Sequence, residues 1–195
     1  YQSFHKDGVE QPIVATIGDS TFYHSGTAGL LNAVYNDARF ILVVLDNQTT
    51  AMTGMQPTPG LGIRADGSRG NAVSLERVIA GCGVNFVEVV DPYDIQGMTA
   101  LMKKAVQHVQ RPDGGVAAII ARHPCVIAYR DQAVLQKKQV KVTEACVECN
   151  FCHERFECPA LYKDEDLGRT AVNQALCVQC GVCIQICPKG AIVEA

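Results

Sequence analysis

Eight of the ten cysteines crowd into residues 146–187, in two similar runs. ACVECNFCHERFECPA places Cys146, Cys149, Cys152 and Cys158 at gaps of two, two and five residues. LCVQCGVCIQICPKG places Cys177, Cys180, Cys183 and Cys187 at gaps of two, two and three. Both runs end in Cys-Pro and start 31 residues apart, so the segment is an internal duplication. A zinc site draws on two separated pairs that close one tetrahedron, and three cysteines in a CxxCxxC run fit that poorly. Such a run winds round one face of a cubane, while the cysteine before proline reaches the other cluster. The spacing therefore points to two [4Fe-4S] clusters. One is held by Cys146, Cys149, Cys152 and Cys187, the other by Cys177, Cys180, Cys183 and Cys158. The longer gap before Cys158 departs from the usual run, and zinc stays open as the alternative metal. His153, between the cysteines, reads as a surface residue, and Cys82 and Cys125 read as core thiols.

A second set of chemistry-bearing residues lies near the start. In IVATIGDSTFYHSG, residues 13–26, an apolar run stops at Gly18-Asp19-Ser20. A second apolar run, FILVVL over 40–45, stops at Asp46-Asn47. Carboxylate and amide oxygens at two strand ends suit Mg2+, which takes about six oxygen ligands and keeps some of its waters. A helix beginning near Ser25 would offer amides to a phosphate.

The elements that position these residues follow from periodicity. Apolar runs over 13–17, 40–45, 86–90 and 116–121 read as strands, and 27–38, 74–81 and 94–109 read as helices, with Ser74 as a cap. Residues 48–73 show no period. Strand–helix alternation predicts a parallel sheet with helices on both faces. Ligands bind such sheets at the carboxyl ends of the strands, where Asp19 and Asp46-Asn47 fall. More polar residues follow 128, which sets a first domain at 1–128, a linker at 129–140 and a cysteine domain at 141–195.

Composition narrows the function. About 48% of residues are apolar, enough for a core. No apolar run reaches 18 residues, so no membrane partner is expected. YQSFHKDGVEQP lacks the features of an export signal, which points to a reducing, cytoplasmic setting for the cysteines. The net charge of −3 arises after residue 145, since 1–145 carry 13 basic and 13 acidic side chains and 146–195 carry 4 and 7. An acidic excess argues against nucleic acid.

GDS, a gap of 25 residues and then Asp46-Asn47 resembles the thiamine diphosphate motif, a GDG followed at about that gap by NN. The resemblance implies that Asp19, Asn47 and the carbonyl of Thr49 bind the metal that grips the cofactor's diphosphate, with Gly18, Ser20 and Thr21 beside it. Ser20 replaces a glycine of the general motif and Asp46 replaces an asparagine; neither change removes a metal ligand. GDSTFYHSG, VVLDNQTTAMTGMQPTPG and the two-cluster segment together resemble the alpha subunits of indolepyruvate:ferredoxin oxidoreductases over essentially the whole chain. In pyruvate:ferredoxin oxidoreductases the ferredoxin-like module comes first, so domain order favours the aryl-pyruvate class. The fold implied is α/β: a parallel, doubly wound thiamine diphosphate-binding domain, incomplete at its N-terminus, followed by a small α+β two-[4Fe-4S] ferredoxin-like domain.

The activity implied is oxidative decarboxylation of a 2-oxoacid to acyl-CoA. Coenzyme A is co-substrate, and electrons pass through both clusters to an external ferredoxin. A second, beta subunit is the expected partner. His24 is the candidate catalytic residue, against a plain reading as a helix-entry residue bonded to backbone, and Thr50–Gly54 is a candidate pocket lining. The glutamate that activates the cofactor has no counterpart here, so this chain alone is expected to be inactive. Three rivals remain: a pyruvate or branched-chain enzyme of the same class, an electron carrier without thiamine chemistry, and a zinc-stabilised interaction module.

Overall fold

The computed structural model describes residues 11–130, 132 and 137–195. Residues 1–10 of the expected first domain lie outside this set, as do residues 131 and 133–136 of the expected linker. The described residues form two compact units; the first ends at Pro92 and resumes over Gln96–Arg130, and the second takes Tyr93–Ile95 and the chain after Arg130.

The first unit holds a four-stranded sheet of β1 (Val14–Gly18), β2 (Ile41–Asp46), β3 (Phe86–Val90) and β4 (Ala117–Arg122), in the order β1-β2-β4-β3. Every pairing is parallel. Side chains alternate across a strand, and both faces of β2 and β4 are covered. Leu42, Val44, Ala118 and Ile120 pack with Phe22, Leu30, Leu75 and Ile79 on one face. Ile41, Val43, Ala117 and Ile119 pack with Ala105 and Val109 on the other. This double burial explains why FILVVL and AAIIA read as unbroken apolar runs.

Four helical segments follow the strands: α1 (Asp19–Thr21), α2 (Thr27–Tyr35), α3 (Leu75–Gly81) and α4 (Ile95–Gln110). Ser74 caps α3, its Oγ accepting from Arg77 N at 3.2 Å. The helix expected to begin near Ser25 begins at Asp19 instead. A π-helical turn, Phe22–Gly26, joins α1 to α2 without a break. That turn packs tightly against β1: a Cβ on Gly26 would meet Ile17 Cδ1 and Phe22 Cδ2, both at 2.9 Å. Helical backbone ends at Tyr35 rather than Ala38, because Asp37 turns into the left-handed region at φ 51°. Two 3-10 turns, Ala51–Thr53 and Pro59–Leu61, punctuate the long loop after β2.

The second unit is small. Strands β5 (Val140–Val142) and β8 (Ile192–Glu194) pair antiparallel, as do β6 (Leu161–Asp164) and β7 (Arg169–Val172). Each cysteine run contributes one short helix, α5 (Phe151–Glu154) and α6 (Val182–Ile186). Its buried core is Val140, Leu161, Cys183 and Ile192, with Cys152, Cys158, Cys177 and Cys187 packed against it. So few apolar side chains supply little folding energy, and metal ligation is the natural supplement. Among the described residues no helix is long and apolar enough to cross a membrane.

Candidate functional site

Strands β1 and β2 are neighbours in register, with Gly18 opposite Leu45, so their carboxyl ends open together. Asp19 starts α1 there and is 2% exposed. Its Oδ1 accepts from Ser20 N at 2.8 Å, while its Oδ2 is buried without a hydrogen-bond partner. Burial first, and the nearby Asp46 carboxylate next, push Asp19 up to about 6. An uncompensated buried carboxylate is expensive, and the charge lacking here is a cation. The residues therefore fit a divalent metal.

Asp46 is the last residue of β2, not the first of the loop, and lies opposite Arg122 at the end of β4. Arg122 Nε donates to Asp46 Oδ2 at 2.6 Å, and its second branch reaches Glu76 Oε1 at 2.8 Å. That contact, ahead of other causes, holds Glu76 down at about 2. Ser74 Oγ in turn donates to Glu76 Oε2 at 2.7 Å, which links the cap of α3 to the sheet edge.

Asn47 and Thr49 form the other half. Asn47 Oδ1 accepts from Thr49 N at 3.1 Å, a local turn helped by the positive φ of Gln48 at 61°. The chain after β4 clamps this loop. His123 N donates to Asp46 O at 3.1 Å, Cys125 N to Asn47 O at 3.0 Å, and Tyr129 Oη to Gln48 O at 3.1 Å. Thr49 is buried and its hydroxyl donates to Gln56 O at 3.3 Å. Ser20 accepts from Thr50 Oγ1 at 3.0 Å and so ties the two loops together.

Gly18 has open space where a Cβ would stand. Thr21 is exposed at the end of α1. His24 is exposed, and its Nδ1 lies 2.6 Å from Ser20 O; a carbonyl only accepts, so Nδ1 carries the proton. Ser25 lies inside the π turn, so the amides expected there to meet a phosphate are not at a helix start; those of α1 are. Met52, within the expected pocket loop, is 99% exposed. Arg122, Glu76 and Tyr129 belong to none of the sequence motifs. Arg122 carried a signal, since it ends an apolar run at the same sheet edge as Asp46.

In the second unit, Cys146, Cys149, Cys152 and Cys187 line one small cavity, together with Thr170 and Ile192. Cys158, Cys177 and Cys180 lie near enough to Cys183 to act on its charge, and burial ahead of them pushes that thiol up to about 11. Thus each set gathers three cysteines of one run and the fourth of the other. Burial raises the Cys146 thiol, but hydrogen bonds from the Thr170 and Glu148 backbone and the Thr170 hydroxyl hold it below its ordinary value. His153 is not an isolated surface group: its Nε2 lies 3.0 Å from the buried Thr170 hydroxyl. Among the described residues no three His, Cys, Asp or Glu side chains stand close enough to hold a single metal ion. Cys82 is a buried core thiol, whereas Cys125 is only part-buried.

The family described as "Thiamine pyrophosphate enzyme, C-terminal TPP binding domain" matches residues 5–119, and "4Fe-4S binding domain" matches residues 170–193. Indolepyruvate oxidoreductase subunit IorA of Archaeoglobus fulgidus is 49% identical over 185 residues, covering 94% of this chain and 29% of its own. The subunit of that name from Methanothermobacter marburgensis is 42% identical over 183 residues, covering 93% and 28%. The chain thus spans under a third of the length of these relatives. Among solved structures, the 2-oxoglutarate:ferredoxin oxidoreductase of Magnetococcus marinus shares the fold, with a TM-score of 0.50 at 15% identity over 64% of this chain and 44% of that one.

Proposed function

The chain belongs to the thiamine pyrophosphate enzymes, carrying their C-terminal TPP-binding domain, and from that premise we propose that it serves a 2-oxoacid:ferredoxin oxidoreductase. In that enzyme it anchors the diphosphate end of thiamine diphosphate and leads electrons away through two [4Fe-4S] clusters. The observation that carries the reading is the buried, unpartnered Oδ2 of Asp19 at the carboxyl edge of the sheet.

Asp19, the Asn47 side chain and the Thr49 carbonyl would hold Mg2+, and Gly18, Ser20 and Thr21 would face the diphosphate. Arg122 occupies Asp46 Oδ2, so the carboxylate left to meet the cation is Asp19. Thiamine diphosphate, when bound, supplies the electron sink that lets a 2-oxoacid lose CO2. His24, with Nδ1 committed to Ser20, offers Nε2 as the catalytic candidate. The two sets of four cysteines hold the clusters, which pass electrons singly to an external ferredoxin. The names of the relatives support an aryl-pyruvate substrate such as indolepyruvate and a partner, beta subunit; coenzyme A taking the acyl group and a cytoplasmic location complete the proposal.

The test uses the complete two-subunit enzyme, prepared without oxygen. Mixing with indolepyruvate and coenzyme A should reduce the clusters. Asp19→Ala should abolish that reduction while iron content stays at about 8 per chain. Undiminished reduction in Asp19→Ala would remove the thiamine role.

A further inference from the structure

Thr170 sits in the middle of β7, opposite Lys163 on β6, and is 4% exposed. It lines the same cavity as Cys146, Cys149, Cys152 and Cys187. Its Oγ1 lies 3.5 Å from Cys152 Sγ and 3.0 Å from His153 Nε2. A β-branched side chain in a paired strand has little rotamer freedom, so the hydroxyl is held in place.

Chemistry fixes the direction of these two bonds, on the reading that the four cysteines bind a cluster. A cluster-bound sulfur is a thiolate and has no proton to give. A hydroxyl has one proton and two lone pairs. Thr170 therefore donates its one proton to the sulfurs of this set, shared between Cys152 Sγ at 3.5 Å and the neighbouring Cys146 Sγ, and its oxygen is left to accept from His153 Nε2–H. The array runs one way, from imidazole to hydroxyl to sulfur. Ala191 N donates to Cys187 Sγ at 3.3 Å, a second donor onto the same set.

We propose that Thr170, oriented by His153, is a positioning residue that sets the reduction potential of the cluster held by Cys146, Cys149, Cys152 and Cys187. Hydrogen bonds to cluster sulfurs and the surrounding outer shell tune that potential. The bond strengthens as the cluster gains an electron and its sulfurs gain charge, so it favours the reduced form. The cluster at Cys158, Cys177, Cys180 and Cys183 is the internal reference.

The experiment is an EPR-monitored redox titration of the complete enzyme, wild type against Thr170→Val, with iron content measured in parallel. Valine keeps the shape and removes the donor. At fixed poise, the reduced-to-oxidised ratio of the Cys146-containing cluster should fall roughly three- to tenfold; tenfold is about 59 mV for one electron. The reference cluster should move less. Thr170→Ser should restore most of the wild-type value. A cluster present at full iron content with unchanged potential overturns the proposal and leaves the cluster reading intact. Wild-type enzyme without iron overturns that reading and this proposal with it. Should Thr170→Val fail to assemble, His153→Phe carries the test, since it keeps the hydroxyl and removes its donor. The same cluster should shift the same way by a smaller step, and no shift in that variant overturns the proposal.

Discussion

Arg122 and Asp46 face each other across β4 and β2, and Arg122 Nε donates to Asp46 Oδ2 at 2.6 Å. This contact accounts for a departure from the general thiamine motif. An aspartate beside the Asp19 carboxylate adds a second negative charge to the proposed metal site; the guanidinium, shared with Glu76, offsets part of it. The other departure also has a partner, because Ser20 takes a hydrogen bond from Thr50 across the two loops.

Removing Arg122 should therefore leave both Asp46 and Glu76 without their partner. Asp46 is nearly buried, at 8% side-chain exposure, but Arg122 keeps 33%, so Arg122→Met should cost roughly 2–3 kcal/mol, at or below the low end for fully buried pairs. Asp46→Asn added to it should recover much of that loss. A denaturant-based double-mutant cycle on the complete enzyme reads the coupling, and additive costs would refute the pairing.

Glu76 gives the pH dependence. Arg122, its main partner, holds it down at about 2, well below the 4.5 of a free glutamate. A folded-state value that is depressed stabilises above the unfolded value, and that contribution fades as pH falls from 4.5 towards 2. Glu76→Gln should thus lower the thermal midpoint at pH 7 and lose its effect progressively below pH 4.5. A constant difference across that window would exclude the ion pair as the cause.

The loop tie between Ser20 and Thr50 is a single hydroxyl–hydroxyl bond, worth about 1 kcal/mol. Thr50→Val should weaken Mg2+-dependent thiamine diphosphate binding by roughly fivefold, and Ser20→Gly, which restores the general motif, by no more than that. Calorimetric titration of the complete enzyme measures both. A loss of a hundredfold from either would mean that the hydroxyls touch the cofactor directly.

Crossed ligation makes a distant prediction. Cys187 closes a cavity with cysteines some forty residues earlier. Cys187→Ala should cost the cluster at Cys146, Cys149 and Cys152, taking iron from about 8 to about 4 per chain, and spare the cluster at Cys177, Cys180 and Cys183. Variant-specific EPR signals assign which cluster is lost; loss of the other one would reverse the ligand sets.

Much of this was legible in the chain because burial writes itself into periodicity. Strands covered on both faces, such as β2 and β4, appear as unbroken apolar runs, and the Phe86–Val90 strand was bounded to the residue. The cysteine spacing carries its own geometry. What escaped has physical reasons. The π turn at Phe22–Gly26 lies against Ile17 with no room for a Cβ at Gly26, a contact that no local period encodes. Arg122 and Glu76 meet although 46 residues separate them, through a strand order that had to be known first. Thr170 sat in an unremarked polar stretch, and only the β6–β7 pairing brings it to the cysteines.

In the proposed function, Asp19 meets a cation that holds a diphosphate. Equilibrium binding of thiamine diphosphate to the complete enzyme, with and without Mg2+, for wild type and Asp19→Asn, tests it most directly. Loss of one charged ligand should weaken Mg2+-dependent binding by about a hundredfold, the effect of roughly 3 kcal/mol, with cluster iron unchanged. Equal affinity in both proteins, or binding indifferent to Mg2+, would contradict it.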